Sequence, residues 1–143
     1  MIRFNKARHE FGKSAEKDIK PYLEFLLGEE LTKTESAYDT MDFVSENYFI
    51  ELKTRTVRYH WDTPLIHKEG WLIPACKIDR ARKEKKKVLF FYFWKSDNSL
   101  WELEYSPEAF ADLEPAIPSW HADKQLHYYV PQDRWRLISI MDH

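Results

Sequence analysis

The stretch YDTMDFVSENYFIELKTRT, Tyr38–Thr56, decides how this chain is read. Its second half, Tyr48-Phe49-Ile50-Glu51-Leu52-Lys53, is apolar and β-prone except where Glu51 and Lys53 interrupt it. A carboxylate inside such a run costs stability unless something pairs with it or uses it. Thr40–Ser45 and Tyr48–Thr56 read as two strands joined at Glu46-Asn47, a hairpin with a two-residue loop. Ser45 then pairs with Tyr48, and Asp42 falls directly opposite Glu51. Opposed residues share a sheet face with Cβ atoms about 4.5–5.5 Å apart, and Lys53, two along from Glu51, joins them. Phe43, Ile50 and Leu52 point the other way. Two opposed carboxylates repel, so a sheet holds them only where a cation or a shared proton offsets the repulsion.

Outward from the hairpin, Phe4, Phe11, Ala15, Ile19, Tyr22, Leu23 and Leu26 recur at helical spacing. They predict an amphipathic helix over 5–27, kinked or divided at Pro21 and stopped by Gly28. ELTKTES supplies a short strand. RYHWDTPLIHKEG reads as a loop, Trp71–Lys87 as a helix with Pro74 in its first turn, and VLFFYFW, Val88–Trp94, as a strand buried on both faces. SDNS is a turn and LWELEY, Leu100–Tyr105, the hairpin partner of that strand. SPEAFADLE predicts a short helix and QLHYYV a strand; PQDRWRLISI stays ambiguous. The helix between the Glu51 and Val88 strands makes them natural parallel neighbours. The fold class is α/β, with a mixed central β-sheet flanked by helices.

The chain has 143 residues, 43% apolar and 32% charged with only three glycines, and reads as a single globular domain spanning 1–143. Cys76 is its one cysteine, so neither an intrachain disulfide nor a cysteine-based zinc site is expected. The start, MIRFNKARHEFGK, lacks the apolar core of a signal peptide, and Val88–Trp94 is too short to cross a bilayer. A cytoplasmic, reducing compartment and no membrane are the expectation. Lys77–Lys87, KIDRARKEKKK, carries seven basic and two acidic residues, leaving −7 for the rest of a chain whose formal charge is −2. That asymmetry suits an anionic partner on one face and clustered carboxylates elsewhere, although a solvated helix face reads the same way.

Asp42, eight intervening residues and then Glu51-Leu52-Lys53 resemble the signature of the PD-(D/E)XK (restriction-endonuclease-like) nuclease superfamily: an acid at a strand start, then acid-x-Lys on the next strand. The resemblance covers about Phe4–Trp94 and implies an αβββαβ core. FGKSAEKDI supplies Glu16, matching a glutamate that many members carry on the first helix. The family's proline before the first acid is absent, because Met41 stands there. This leaves Asp39 as a competitor to Asp42, though of the wrong parity for the Glu51 face.

The resemblance implies a Mg²⁺-dependent endonuclease that hydrolyses DNA phosphodiester bonds with a metal-activated water, Mn²⁺ serving as a substitute ion. Asp42 and Glu51 would bind the ion with the Leu52 carbonyl. Glu16 would support a second ion or orient water, and Lys53 would position or activate the attacking water. Lys77 would face the sheet beside the site, and Lys77, Arg80 and Lys83 would contact DNA phosphates. Tyr59, His60 and Trp61 would stack on bases or simply pack a loop. Junction resolution or site-specific cleavage suits so small a domain, and such nucleases commonly work as homodimers. Two other readings stand beside this one: a non-catalytic nucleic-acid-binding module on the same scaffold, and a nuclease acting on RNA. Taken singly, Glu51 and Lys53 also fit the solvated face of an edge strand, Asp42 a surface acid and Glu16 a solvated helix residue.

Overall fold

The computed structural model describes residues 6–34, 42–55, 70–117 and 125–140, with the side chains of the first helix described from Lys17 onward. Helix α1 (Lys6–Leu27) stops at Gly28, whose φ of 69° lets its N–H reach back to the Glu24 carbonyl at 2.9 Å. Of the two outcomes expected at Pro21, division does not occur; α1 runs through it as one element. Pro21 and Lys17, whose carbonyl loses its helical partner, both lie on the exposed side, where water can serve it.

Three strands in two antiparallel pairings follow. Strand β1 (Thr32–Lys33) pairs with β2 (Phe43–Val44), and β2 with β3 (Tyr48–Arg55) in the register Phe43↔Ile50 and Val44↔Phe49. The two-residue loop is closed by Ser45, whose N–H donates to the Tyr48 carbonyl at 2.9 Å while its Oγ accepts from the Tyr48 N–H at 3.1 Å. Glu29 braces the loop by accepting from the Asn47 N–H at 2.9 Å.

The expected helix over Trp71–Lys87 is corrected at both ends. Trp71–Pro74 form strand β4, and helix α2 covers only Ala75–Lys83. Pro74 sits extended (ψ 138°) as the residue before the helix. Strand β4 pairs antiparallel with β7 (His127–Val130), a partner more than fifty residues away that local periodicity cannot reveal. Their junction requires Gly70: at φ 112°, a Cβ there would lie 2.2 Å from the Val130 carbonyl oxygen. Strand β5 (Lys87–Trp94) then pairs parallel with β3, Glu51 beside Phe90 and Lys53 beside Tyr92. It is buried throughout from Val88, as its apolar run requires.

The Lys95–Asn98 turn returns the chain as β6 (Ser99–Glu104), antiparallel to β5. After a one-turn helix α3 (Pro107–Phe110), capped by the Ser106 hydroxyl, the ambiguous C-terminal segment resolves into a 3₁₀ turn at Gln132–Arg134 and strand β8 (Arg136–Ile140). The fold is thus mixed α/β. A six-stranded sheet runs β1-β2-β3-β5-β6-β8, and β4-β7 form a separate pair.

Each face of the large sheet has its own core. Ile19 and Leu23 of α1 pack with Phe43, Ile50, Leu52, Leu89, Phe91 and Phe93 on one side. On the other, Ile78 and Ala81 of α2 pack with Val88, Phe90, Tyr92 and Trp94, beside β4 and β7. Trp71 centres an aromatic cluster there, with Tyr92, Trp94, Trp101 and Trp135 at ring-centroid distances of 5.1–5.6 Å. No helix among the described residues is long and apolar enough to cross a membrane.

Candidate active site

The alternation of β3 sends Ile50 and Leu52 into the α1 core and leaves Glu51 and Lys53 on the α2 side. Asp42 precedes β2 by one residue and is tied down by its backbone. Its N–H donates to the Ile50 carbonyl at 2.9 Å, and its carbonyl accepts from the Thr34 N–H at 3.0 Å. Its side chain turns across the strand end, and Oδ2 accepts the Leu52 N–H at 2.8 Å. The N–H and carbonyl of a strand residue point to the same edge, so the Leu52 carbonyl also faces the Asp42 side, clear of β5.

From α2, Lys77 reaches down to the strand. Its Nζ lies 3.1 Å from Glu51 Oε2, and the two side chains are only 19% and 14% exposed. Burial pushes the Glu51 carboxyl up to about 8; the Asp42 carboxylate adds to this, and Lys77 and Lys53 oppose it. Burial likewise pulls Lys53 down to about 8, helped by the Arg55 guanidinium and opposed by Glu51. Asp42, Glu51, Lys53 and Lys77 therefore form one electrostatic unit of two carboxylates and two ammoniums.

Arg80 follows Lys77 by three residues and shares its side of α2. Its guanidinium carbon stands 5.1 Å from the centroid of the Phe49 ring, and Lys86 Nζ stands 5.3 Å from the same centroid. Lys86 is further fixed by donating to the Ser45 carbonyl at 2.8 Å, and Arg80 by Glu84 at 2.8 Å. Phe49 precedes Glu51 by two on the same face, so these cations border the carboxylates on one flank while Lys53 and Arg55 border them on the other. Lys83, six residues after Lys77 and about 120° from it around α2, is exposed.

Among the residues expected at the site, Asp42, Glu51, Leu52, Lys53, Lys77 and Arg80 come together. The Glu16 side chain and Asp39 lie outside the described residues, as do Tyr59, His60 and Trp61. The helix that carries Glu16 packs, through Ile19 and Leu23, on the opposite face of the sheet. Lys86 is legible in the sequence only as one member of the basic run, and Phe49 only as a strand residue; the cue to their meeting beside Glu51 is the two-residue spacing of Phe49 and Glu51.

The donor types suit a hard divalent cation: the Asp42 carboxylate, the Glu51 carboxyl and the Leu52 carbonyl all offer oxygen. Burial, more than the neighbouring Asp42 charge, holds the Glu51 carboxyl up at about 8. No group of three or more His, Cys, Asp or Glu side chains gathers among the described residues, so such an ion would depend on backbone and water for the rest of its shell. An open cavity of about 450 Å³ lies elsewhere, lined by Arg82, Tyr105, Pro107, Phe110, Ala111 and Leu113. It contains no carboxylate and none of the four charged groups, so the chemistry favours the quartet over the cavity. No family model, curated protein or solved structure matches this chain.

Proposed function

We propose that this protein is a metal-dependent nuclease that hydrolyses DNA phosphodiester bonds, with a catalytic arrangement like that of the PD-(D/E)XK enzymes. One observation carries the reading: the Asp42 carboxylate accepts from the Leu52 N–H, between Glu51 and Lys53, and is coupled electrostatically to both in a partly buried site. Further support comes from the chain order, in which a helix, three strands, a crossover helix and a parallel strand succeed one another, with β4 added in the crossover. Asp42, Glu51 and the Leu52 carbonyl would hold Mg²⁺ or Mn²⁺, which would supply charge neutralisation at the scissile phosphate.

The remaining work falls to the chain. Hydrolysis forms one P–O bond to water and breaks another to the leaving oxygen, and the water must lose a proton. Lys53, drawn down to about 8, has a neutral fraction near physiological pH that can take a proton at Nζ, which an ordinary lysine lacks. Lys77, Arg80 and Lys86 would bind and orient the backbone phosphates on either side of the broken bond.

A second reading draws on the Lys77–Glu51 pair. Two ammoniums can balance two carboxylates with no ion present, as in a nucleic-acid-binding module without catalysis. One experiment separates the two: incubate the protein with Mg²⁺ and single-stranded, duplex, flap and four-way DNA, alongside matched RNA. Cleavage lost in Glu51→Ala and Lys53→Ala supports the nuclease. Binding without cleavage in every arm leaves the module, and RNA-only cleavage reassigns the substrate.

A further inference from the structure

Lys77 holds Glu51, the carboxyl that a divalent cation would also need, with Nζ 3.1 Å from Oε2. We infer that Lys77 is an exchanging counter-ion: it holds Glu51 in the free protein and moves to a substrate phosphate when a divalent cation reaches the carboxylates, so that ion and nucleic acid bind cooperatively. The inference rests on the metal-dependent nuclease reading above and adds to it the order and coupling of the ligands.

The charges require this. Two carboxylates face two ammoniums, and the Glu51 and Lys77 side chains are largely closed to water. A divalent ion added to the free protein would leave positive charge in excess where screening is poor. A phosphodiester brings a negative charge to the same place and gives the displaced ammonium a new partner. Lys77 is built for the exchange: its stem is flexible and its head has three rotatable donors. Its helix, by contrast, is anchored by the next residue, Ile78, which is fully buried, so the side chain can move while α2 stays. By linkage, whatever the nucleic acid adds to ion affinity the ion must add to nucleic-acid affinity.

The test is Ca²⁺ titration calorimetry on the intact protein at pH 8.5, with and without a saturating DNA hairpin bearing a single-stranded tail. In the wild type, the hairpin should tighten Ca²⁺ binding about tenfold, within the range of such couplings. Lys77→Met should bind Ca²⁺ about tenfold tighter without DNA and lose most of the coupling, while Lys77→Arg keeps the wild-type pattern. Lys77→Gln replaces the methionine variant if thermal melts show that one unfolded. Ca²⁺ binding that is unchanged or weaker in both neutral variants, or coupling that survives in them, overturns the inference and leaves the nuclease reading intact. No Ca²⁺ binding in any arm overturns both.

Discussion

The Leu52 N–H donates to Asp42 Oδ2 at 2.8 Å, so a carboxylate serves as the acceptor for a β3 N–H that lies beyond the start of β2. Asp42 thus has two parts to play, finishing a strand edge and placing a carboxylate charge near Glu51. They can be separated. Asp42→Asn keeps an acceptor for Leu52 and should melt within about 1 kcal/mol of the wild type, whereas Asp42→Ala strands the N–H and should cost about 1–3 kcal/mol. Both should lose cleavage. Equal stability of the two variants in denaturant titrations would show that the hydrogen bond contributes nothing.

The raised Glu51 makes stability depend on pH. A group whose folded pKa lies above its unfolded value of 4.5 contributes stability fully present below pH 4.5 and lost as pH climbs toward about 8. Glu51→Gln removes that loss. Its stability relative to wild type should therefore improve by up to about 1.4 kcal/mol per pH unit across that window. A difference that stays flat from pH 5 to 8 in chemical denaturation contradicts the placement of Glu51.

Lys53 has the opposite shift. Depressed to about 8, it is neutral in a larger fraction as pH rises, so cleavage should increase with pH up to that value and then level. Lys53→Arg keeps the charge but holds its proton. It should lose about 10²–10⁴-fold in rate and also the rise near pH 8. An arginine variant that retains both would reduce Lys53 to a fixed positive charge.

Arg80 and Lys83 lie on one helix and differ in what they face. Arg80→Ala should lower the slope of log affinity against log salt by about 0.9 for DNA, and Lys86→Ala by a similar amount. Lys83→Ala should leave the slope near wild type. Fluorescence anisotropy over a salt series measures all three, and equal slopes for Arg80→Ala and Lys83→Ala would place the backbone elsewhere.

Gly70 tests the fold apart from the site. With φ at 112° and the Val130 carbonyl oxygen 2.2 Å from where a methyl group would sit, Gly70→Ala must shift β4 away from β7. A loss of about 2–3 kcal/mol is expected in equilibrium unfolding, from backbone strain and the displaced strand pair. A variant as stable as wild type would mean that the β4–β7 pair gives way easily.

Much of the site could be read along the chain because its members are local. Glu46-Asn47 as a two-residue loop sets the pairing of β2 with β3, two-residue alternation puts Glu51 and Lys53 on one face, and Asp42 comes in beside them through the Leu52 N–H rather than directly opposite Glu51. Val88–Trp94 announced a central strand by composition alone, and Gly28 a helix end by its tolerance of positive φ. These features depend on steric and hydrogen-bonding rules that act within about a dozen residues.

The tertiary structure alone decided the rest. Trp71–Pro74 reads equally well as helix or strand until His127–Val130 supplies the hydrogen-bonding edge, and Arg136–Ile140 becomes a strand only because β6 is there to pair with. Lys77 meets Glu51 across 26 residues of sequence, and the basic run divides between site and solvent according to which side of α2 packs on the sheet. A local pattern specifies the direction of a side chain relative to its own backbone. Which charge it meets depends on how separate elements bury their apolar faces against one another, and that is settled only when the whole chain packs.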